Sequence, residues 1–376
     1  MLQVVVEQGN SLCFRDPESK TELTVNFQRT LRIPDDGKDY PLPPGLGSFP
    51  IRRVLAYKDR VPESWVKTSG VFIPMYQREA LWISFQARYW RPNAVKVAAG
   101  KINAVSGKPW DQSLKPPETV MVPQRKGLLG GKRDVATELQ DYLVCPPQPW
   151  LDGFNTGEGK VRQFVAMPLG MGYTVEGQVT GKEEHGGIQI IVYEPKPGKF
   201  PTTPPIVRAA RSRGGGYGGY GGGMASPEDS GAVYSAPAPE SAPARGKAMG
   251  LAAGGAITQK IYPDPHGIET WDESNHGRVF VHIVNSMMWR EITGEEAPPT
   301  PVTAKTYTAM GFPWFKLYDE HEKDVASSPV LEQVKSVAQM DAQHGFVGVD
   351  DDAAVPIPDD QVKGLGDRGQ VPDGEW

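Results

Sequence analysis

The stretch Ala209–Gly255 reads AARSRGGGYGGYGGGMASPEDSGAVYSAPAPESAPARGKAMGLAAGG. Its 47 residues include 13 Gly, 11 Ala, 5 Ser and 4 Pro, with Val233 and Leu251 as the only branched aliphatics. Such a segment buries too little apolar surface to offset the entropy of ordering it. The composition predicts a flexible linker at 209–255. It divides the chain into a β-rich main domain at 1–208, a smaller α+β domain at 256–344 and an acidic tail at 345–376. A strand at Arg278–Val284 (RVFVHIV) admits a second layout, in which it completes a sheet begun by the first part and the linker is a long insertion.

Outside the linker, Gly and Pro still supply 62 of 329 residues, about 19%, against roughly 12% in average proteins. Long helices tolerate neither residue, so strands, turns and loops should dominate. The expected fold class is α+β, predominantly antiparallel β with a few short helices. The net charge of −5 is uneven: Asp341–Trp376 carries nine acidic and two basic residues, leaving the rest near +2. A near-neutral body predicts no dedicated duplex-binding surface. The tail suits solvation or partner contact. Cys13 and Cys145 are too few for a disulfide framework, though one long-range bridge remains open. Met1–Asn10 lacks a basic region before an apolar run, and no run of about 18 apolar residues follows anywhere. These features predict an intracellular, cytoplasmic protein without a membrane span.

Local patterns predict strands at Leu2–Val6, Glu22–Phe27, Thr30–Ile33, Val71–Pro74, Leu81–Gln86, Ala94–Ala98, Lys101–Val105, Arg162–Met167 and Gly187–Tyr193. Val135, Leu139 and Leu143 behind Asp134 predict a helix over Asp134–Leu143. Thr174 and Gly181 bracket a short helix, and Thr300-Pro301 opens another that ends at Gly311. A longer helix is expected from Ser328-Pro329 to about Gln343, with Val330, Val334, Val337 and Met340 as its apolar stripe.

Three regions carry a family likeness together: GVFIPMYQREALW at Gly70–Trp82, RQFVAMPLG at Arg162–Gly170 continuing to Gly181, and Arg278–Asn285 with Gly311–Phe315 (GFPWF). They resemble an uncharacterised family of bacterial and fungal proteins, some of which are labelled "integral membrane protein". The resemblance supports the layout and implies no activity.

Several groupings invite a chemical reading. Lys126–Lys132 (KGLLGGK) hints at a phosphate loop, but its glycine spacing is one residue short and Arg133 stands where a hydroxyl should be. Asp272, His276 and His282 are metal-type ligands within a short span, yet none has HxH or HExxH spacing. His321 beside Asp319 and Glu320 has no nucleophile motif to serve. Arg78-Glu79, set in an apolar segment, predicts a structural ion pair. Trp65, Trp82, Trp90, Trp110 and Trp150 suit core and interface mass better than a stacking platform. Arg211, Arg213, Tyr217 and Tyr220 resemble an RGG-type segment that binds single-stranded RNA weakly.

The leading expectation is a non-enzymatic binding or self-assembling protein, a homo-oligomer or the partner of another protein, with no cofactor. The first alternative is a metal- or ligand-dependent enzyme with an atypical site around Asp272, His276 and His282. The second is a weak RNA binder acting through Arg211, Arg213, Tyr217 and Tyr220.

Overall fold

A computed structural model describes residues 1–19, 21–125, 132–205, 248–317, 323–346 and 353–365. Antiparallel sheet dominates and the helices are short, as the Gly and Pro content requires. One large sheet follows two runs of strands. The first run is Gln3–Glu7, Ser11–Arg15, Glu22–Thr30, Ala80–Gln86, Lys160–Pro168 and Ala248–Thr258, each paired antiparallel with the next. The second is Asn93–Ala99, Ile188–Pro195 and Trp271–Val284, with Val71–Pro74 added in parallel. The runs meet where Ala248 and Met249 pair with Val284 and Ile283. At the other end, the Leu2 N–H donates to the His276 carbonyl. Strands from both sides of the low-complexity stretch thus share one sheet.

Side-chain alternation explains the core. Phe27, Leu81 and Phe164 of the first run and Val95, Ile190 and Val281 of the second belong to one buried cluster. The residues between them face outward and are covered in turn, because strands with apolar residues on both faces need two layers. Val165 and Ala252 pack beneath Val337 and Met340. Ile191 and Tyr193 pack with Tyr142, Val144 and Trp271. Phe72 and Val284 pack with Trp289 and Ile292.

Four expectations need correction. First, Ala248–Gly255 belong to a strand, Ala248–Thr258, rather than to the linker. Its small residues are a packing requirement: a Cβ on Gly255 would lie 2.2 Å from the Pro34 carbonyl oxygen, and one on Gly254 2.6 Å from Val165 Cγ2. Residues 209–247 lie outside the described residues. Second, no helix forms over 134–143; strands run at Lys132–Leu139 and Leu143–Cys145. The i, i+4, i+8 spacing of Val135, Leu139 and Leu143 is also met by extended chain of even parity. Third, the long helix is two, Pro329–Glu332 and Val337–Gln343. Ser336 starts the second with a reciprocal capping box to Gln339, and the Lys335 peptide is held on both sides by Gln178. Val334, Val337 and Met340 are buried, while Val330 is exposed. Fourth, the strand expected at Thr30–Ile33 ends at Thr30, and Lys101–Val105 contributes only Ile102–Asn103.

The helix expected to open at Thr300-Pro301 opens later, where Thr303 caps Ala304–Ala309. Elsewhere the local rules hold. Thr174 Oγ1 accepts from the Gly177 N–H and caps Val175–Thr180, which Gly181 ends in the left-handed conformation. Cys13 and Cys145 are both buried free thiols, so the long-range bridge is not made.

Candidate functional site

The residues proposed for metal chemistry are not brought together. His282 is 3% exposed. Val281 and Ile283 face the core, so the imidazole points to the opposite layer. There it is stacked between Trp65 and Phe280, with both ring centroids 4.3 Å away. Its Nε2 lies 3.1 Å from the Ser69 carbonyl and 3.1 Å from Thr68 Oγ1. A carbonyl only accepts, so Nε2 carries the proton. Burial disfavours the charged ring and lowers its pKa to about 4, against a weaker opposing effect of Ser69. His276 lies six residues back on the same strand, roughly 20 Å away at 3.3 Å per residue. Its Nδ1 is 2.8 Å from the Glu273 carbonyl. Asp272 accepts from the Ser274 N–H and hydroxyl, closing a turn where the strand register shifts. Among the described residues no three His, Cys, Asp or Glu side chains are placed to hold a metal ion.

Four buried charge pairs tie strands to loops and to a helix. Arg78 and Glu79 do not pair with each other. Glu79 takes two hydrogen bonds from Arg29 at 3.0 Å, and its other oxygen accepts from the Tyr76 N–H. Burial pushes the Glu79 carboxyl up, and Arg29 opposes that shift. Arg78 makes a two-point contact with Asp341 at 2.5 and 3.2 Å, and Tyr173 donates to the same carboxylate at 2.8 Å. Burial raises the Asp341 carboxyl, but the hydrogen bonds from Arg78 and Tyr173 outweigh it and hold the group below its ordinary range. Arg91 pairs with Glu194 at 2.8 Å and Lys96 with Asp141 at 2.6 Å. The tryptophans are likewise dispersed. Trp65 stacks on His282, Trp82 meets Trp150 edge to face, and Trp110 lies beneath Lys96.

Lys126–Gly131, the Tyr318–Glu322 cluster with His321, and Arg211, Arg213, Tyr217 and Tyr220 lie outside the described residues.

The feature that stands apart from this closed body is a ribbon. Glu118–Arg125 and Lys132–Leu139 pair antiparallel over eight positions, from Glu118 opposite Leu139 to Arg125 opposite Lys132. They form a two-stranded sheet separate from the large one. Eight residues at about 3.4 Å each give a ribbon of roughly 27 Å. Its base is anchored: Leu139 is buried, and the Glu138 carbonyl accepts from the Ala326 N–H. From Lys115 to Thr119 the first strand and its approach are exposed, and Met121 is 62% exposed. Sequence reading missed the ribbon because Asp134 looked like a helix cap. The signal is present in Thr119-Val120-Met121-Val122, with three β-branched residues of four, followed after a Gly-rich gap by a second run with Val135 and Thr137.

The chain matches no protein-family profile, no curated protein and no solved structure.

Proposed function

We propose that this chain is a non-enzymatic, self-assembling binding protein whose copies meet through the Glu118–Leu139 ribbon. The two-stranded sheet, with Glu118, Thr119 and Met121 exposed, carries the proposal. Glu118–Arg125 presents an outer edge of backbone N–H and C=O groups with no strand beside it among the described residues, and such edges template pairing with another chain. A two-fold antiparallel pairing of that strand with its copy is centred on a residue opposite itself, because only residues of like parity face the outer edge. Pro123 removes one donor from the ladder, which keeps the contact reversible. The closed ion pairs and the sandwiched His282 support a structural rather than a catalytic use of the buried polar groups. The two free buried thiols agree with a reducing, cytoplasmic setting.

The test is sedimentation velocity on the wild type and on a Thr119→Lys/Met121→Lys double variant. Both positions are exposed and lie two apart on one face, so lysines there block edge pairing without touching the core. The expected result is a discrete multimer for the wild type and a monomer of unchanged melting temperature for the variant. A multimer that survives both lysines contradicts the proposal.

A further inference from the structure

A groove of about 420 Å³ lies between the Lys160–Pro168 strand and the two helices at 329–343. It is open to solvent: Glu332, Gln333, Lys335, Gln339 and Gln343 are exposed. It is independent of the ribbon. Arg162 forms one wall, with Gln333, Lys335, Gln339 and Gln343 on the other and Glu332 at the rim.

The backbone on both sides of the groove is tied in place. Opposite Gln163, the Ala248–Thr258 strand inserts Gly254 and Gly255 where one residue would match, so the register shifts between Arg162 and Phe164. Bulges of this kind re-aim the neighbouring side chain. Arg162 is half-buried, and its guanidinium has no hydrogen bond or ion pair among the described residues. The far wall is fixed at three points. Ser336 bridges to Ala253. Gln178 holds the Lys335 N–H at 2.7 Å and carbonyl at 3.0 Å. Asp35 accepts from the Ala338 N–H at 2.9 Å.

The polarity of the lining is also set. The Gln339 carboxamide oxygen accepts from the Ser336 N–H. The Gln343 oxygen accepts from Lys335 Nζ at 2.9 Å. Both amides therefore have their oxygens engaged and their NH₂ groups left as donors. With Arg162 and Lys335, the groove offers donors to an oxygen-rich ligand. Two cations against Glu332 leave one net positive charge, which suits a monoanion.

We infer that this groove binds a carboxylate-bearing polyol of the size of a six-carbon sugar acid. Arg162 takes the carboxylate through its forked N–H groups, and Gln339 and Gln343 donate to the hydroxyl oxygens.

Calorimetric titration of the full chain with glucuronate, glucose and inorganic phosphate tests this. Glucuronate should bind with a millimolar or tighter Kd, glucose at least tenfold more weakly, and phosphate more weakly than glucuronate. Arg162→Gln should weaken glucuronate at least tenfold. Lys335→Gln, at an exposed position that leaves folding intact, should weaken it severalfold and decides the matter if Arg162→Gln does not fold. Lys67→Gln, at an exposed position on the Glu63–Thr68 helix outside the groove lining, should change nothing. No glucuronate binding, glucose or phosphate binding equal to it, or unchanged affinity in Lys335→Gln overturns the inference. Because the readout is the same for a monomer or a multimer, failure here leaves the assembly proposal untouched.

Discussion

The His282 imidazole stays neutral because two aromatic faces remove it from water and its one ring proton is committed to the Ser69 carbonyl. Its folded pKa, about 4, lies below the ordinary 6.5. A group depressed in this way contributes stability that is complete above pH 6.5 and is lost as pH falls through 4. His282→Ala should cost about 2–4 kcal/mol through the void left between Trp65 and Phe280, and it should flatten the acid limb of stability in urea melts. Zn²⁺ should not raise the melting temperature. A zinc-dependent rise that disappears in His282→Ala or His276→Ala would restore the metal reading. Asp152 behaves oppositely. Burial pushes its carboxyl up to about 7, against weaker opposing hydrogen bonds from Trp150 and Gln259. The stability it contributes is complete below its ordinary value of 3.8 and is lost as pH rises through 7, on the order of 4 kcal/mol in all. Asp152→Asn should remove that slope between pH 4 and 8; parallel profiles for the two proteins would contradict the assignment.

At the scale of elements, short-range chemistry was legible and small residues were not. The Thr174 cap, the Gly181 stop and the Val71–Pro74 and Ala80–Gln86 strands follow from local sequence. Ala248–Thr258 does not, because AMGLAAGGAIT has the composition of a spacer while its glycines answer to side-chain and backbone atoms of distant segments. Gly255→Ala should therefore destabilise by roughly 2 kcal/mol or more, through collision with the Pro34 carbonyl. An unchanged melting temperature would mean that the 248–258 strand tolerates what its packing forbids. The break at Lys335 was equally hidden, since the Val334–Val337–Met340 stripe runs straight through it. Ser336→Ala should cost about 1 kcal/mol by removing the second helix's cap, again read by denaturant melts.

For the whole molecule, composition was enough to give a β-rich chain with short helices, but not the pairing of strands across the low-complexity stretch. Register between Ile188–Pro195 and Trp271–Val284, or between Lys160–Pro168 and Ala248–Thr258, depends on contacts far apart in sequence. The candidate site was less legible still. Histidine density points to a site that the fold does not assemble, whereas the ribbon depends on strand pairing and the setting of Arg162 on the bulge at Gly254 and Gly255. Deleting 209–247, while keeping Ala248–Thr258, should leave a cooperative fold of unchanged melting temperature. The same deletion should not change RNA retention; loss of retention would support the reading of Arg211, Arg213, Tyr217 and Tyr220 as an RNA segment.

Native mass spectrometry of the untreated wild-type chain over a range of concentrations addresses the central claim most directly. Assembly through the ribbon predicts a discrete multimer of bare chains that dissociates on dilution. A monomer at every concentration, with or without extra bound mass, would contradict it.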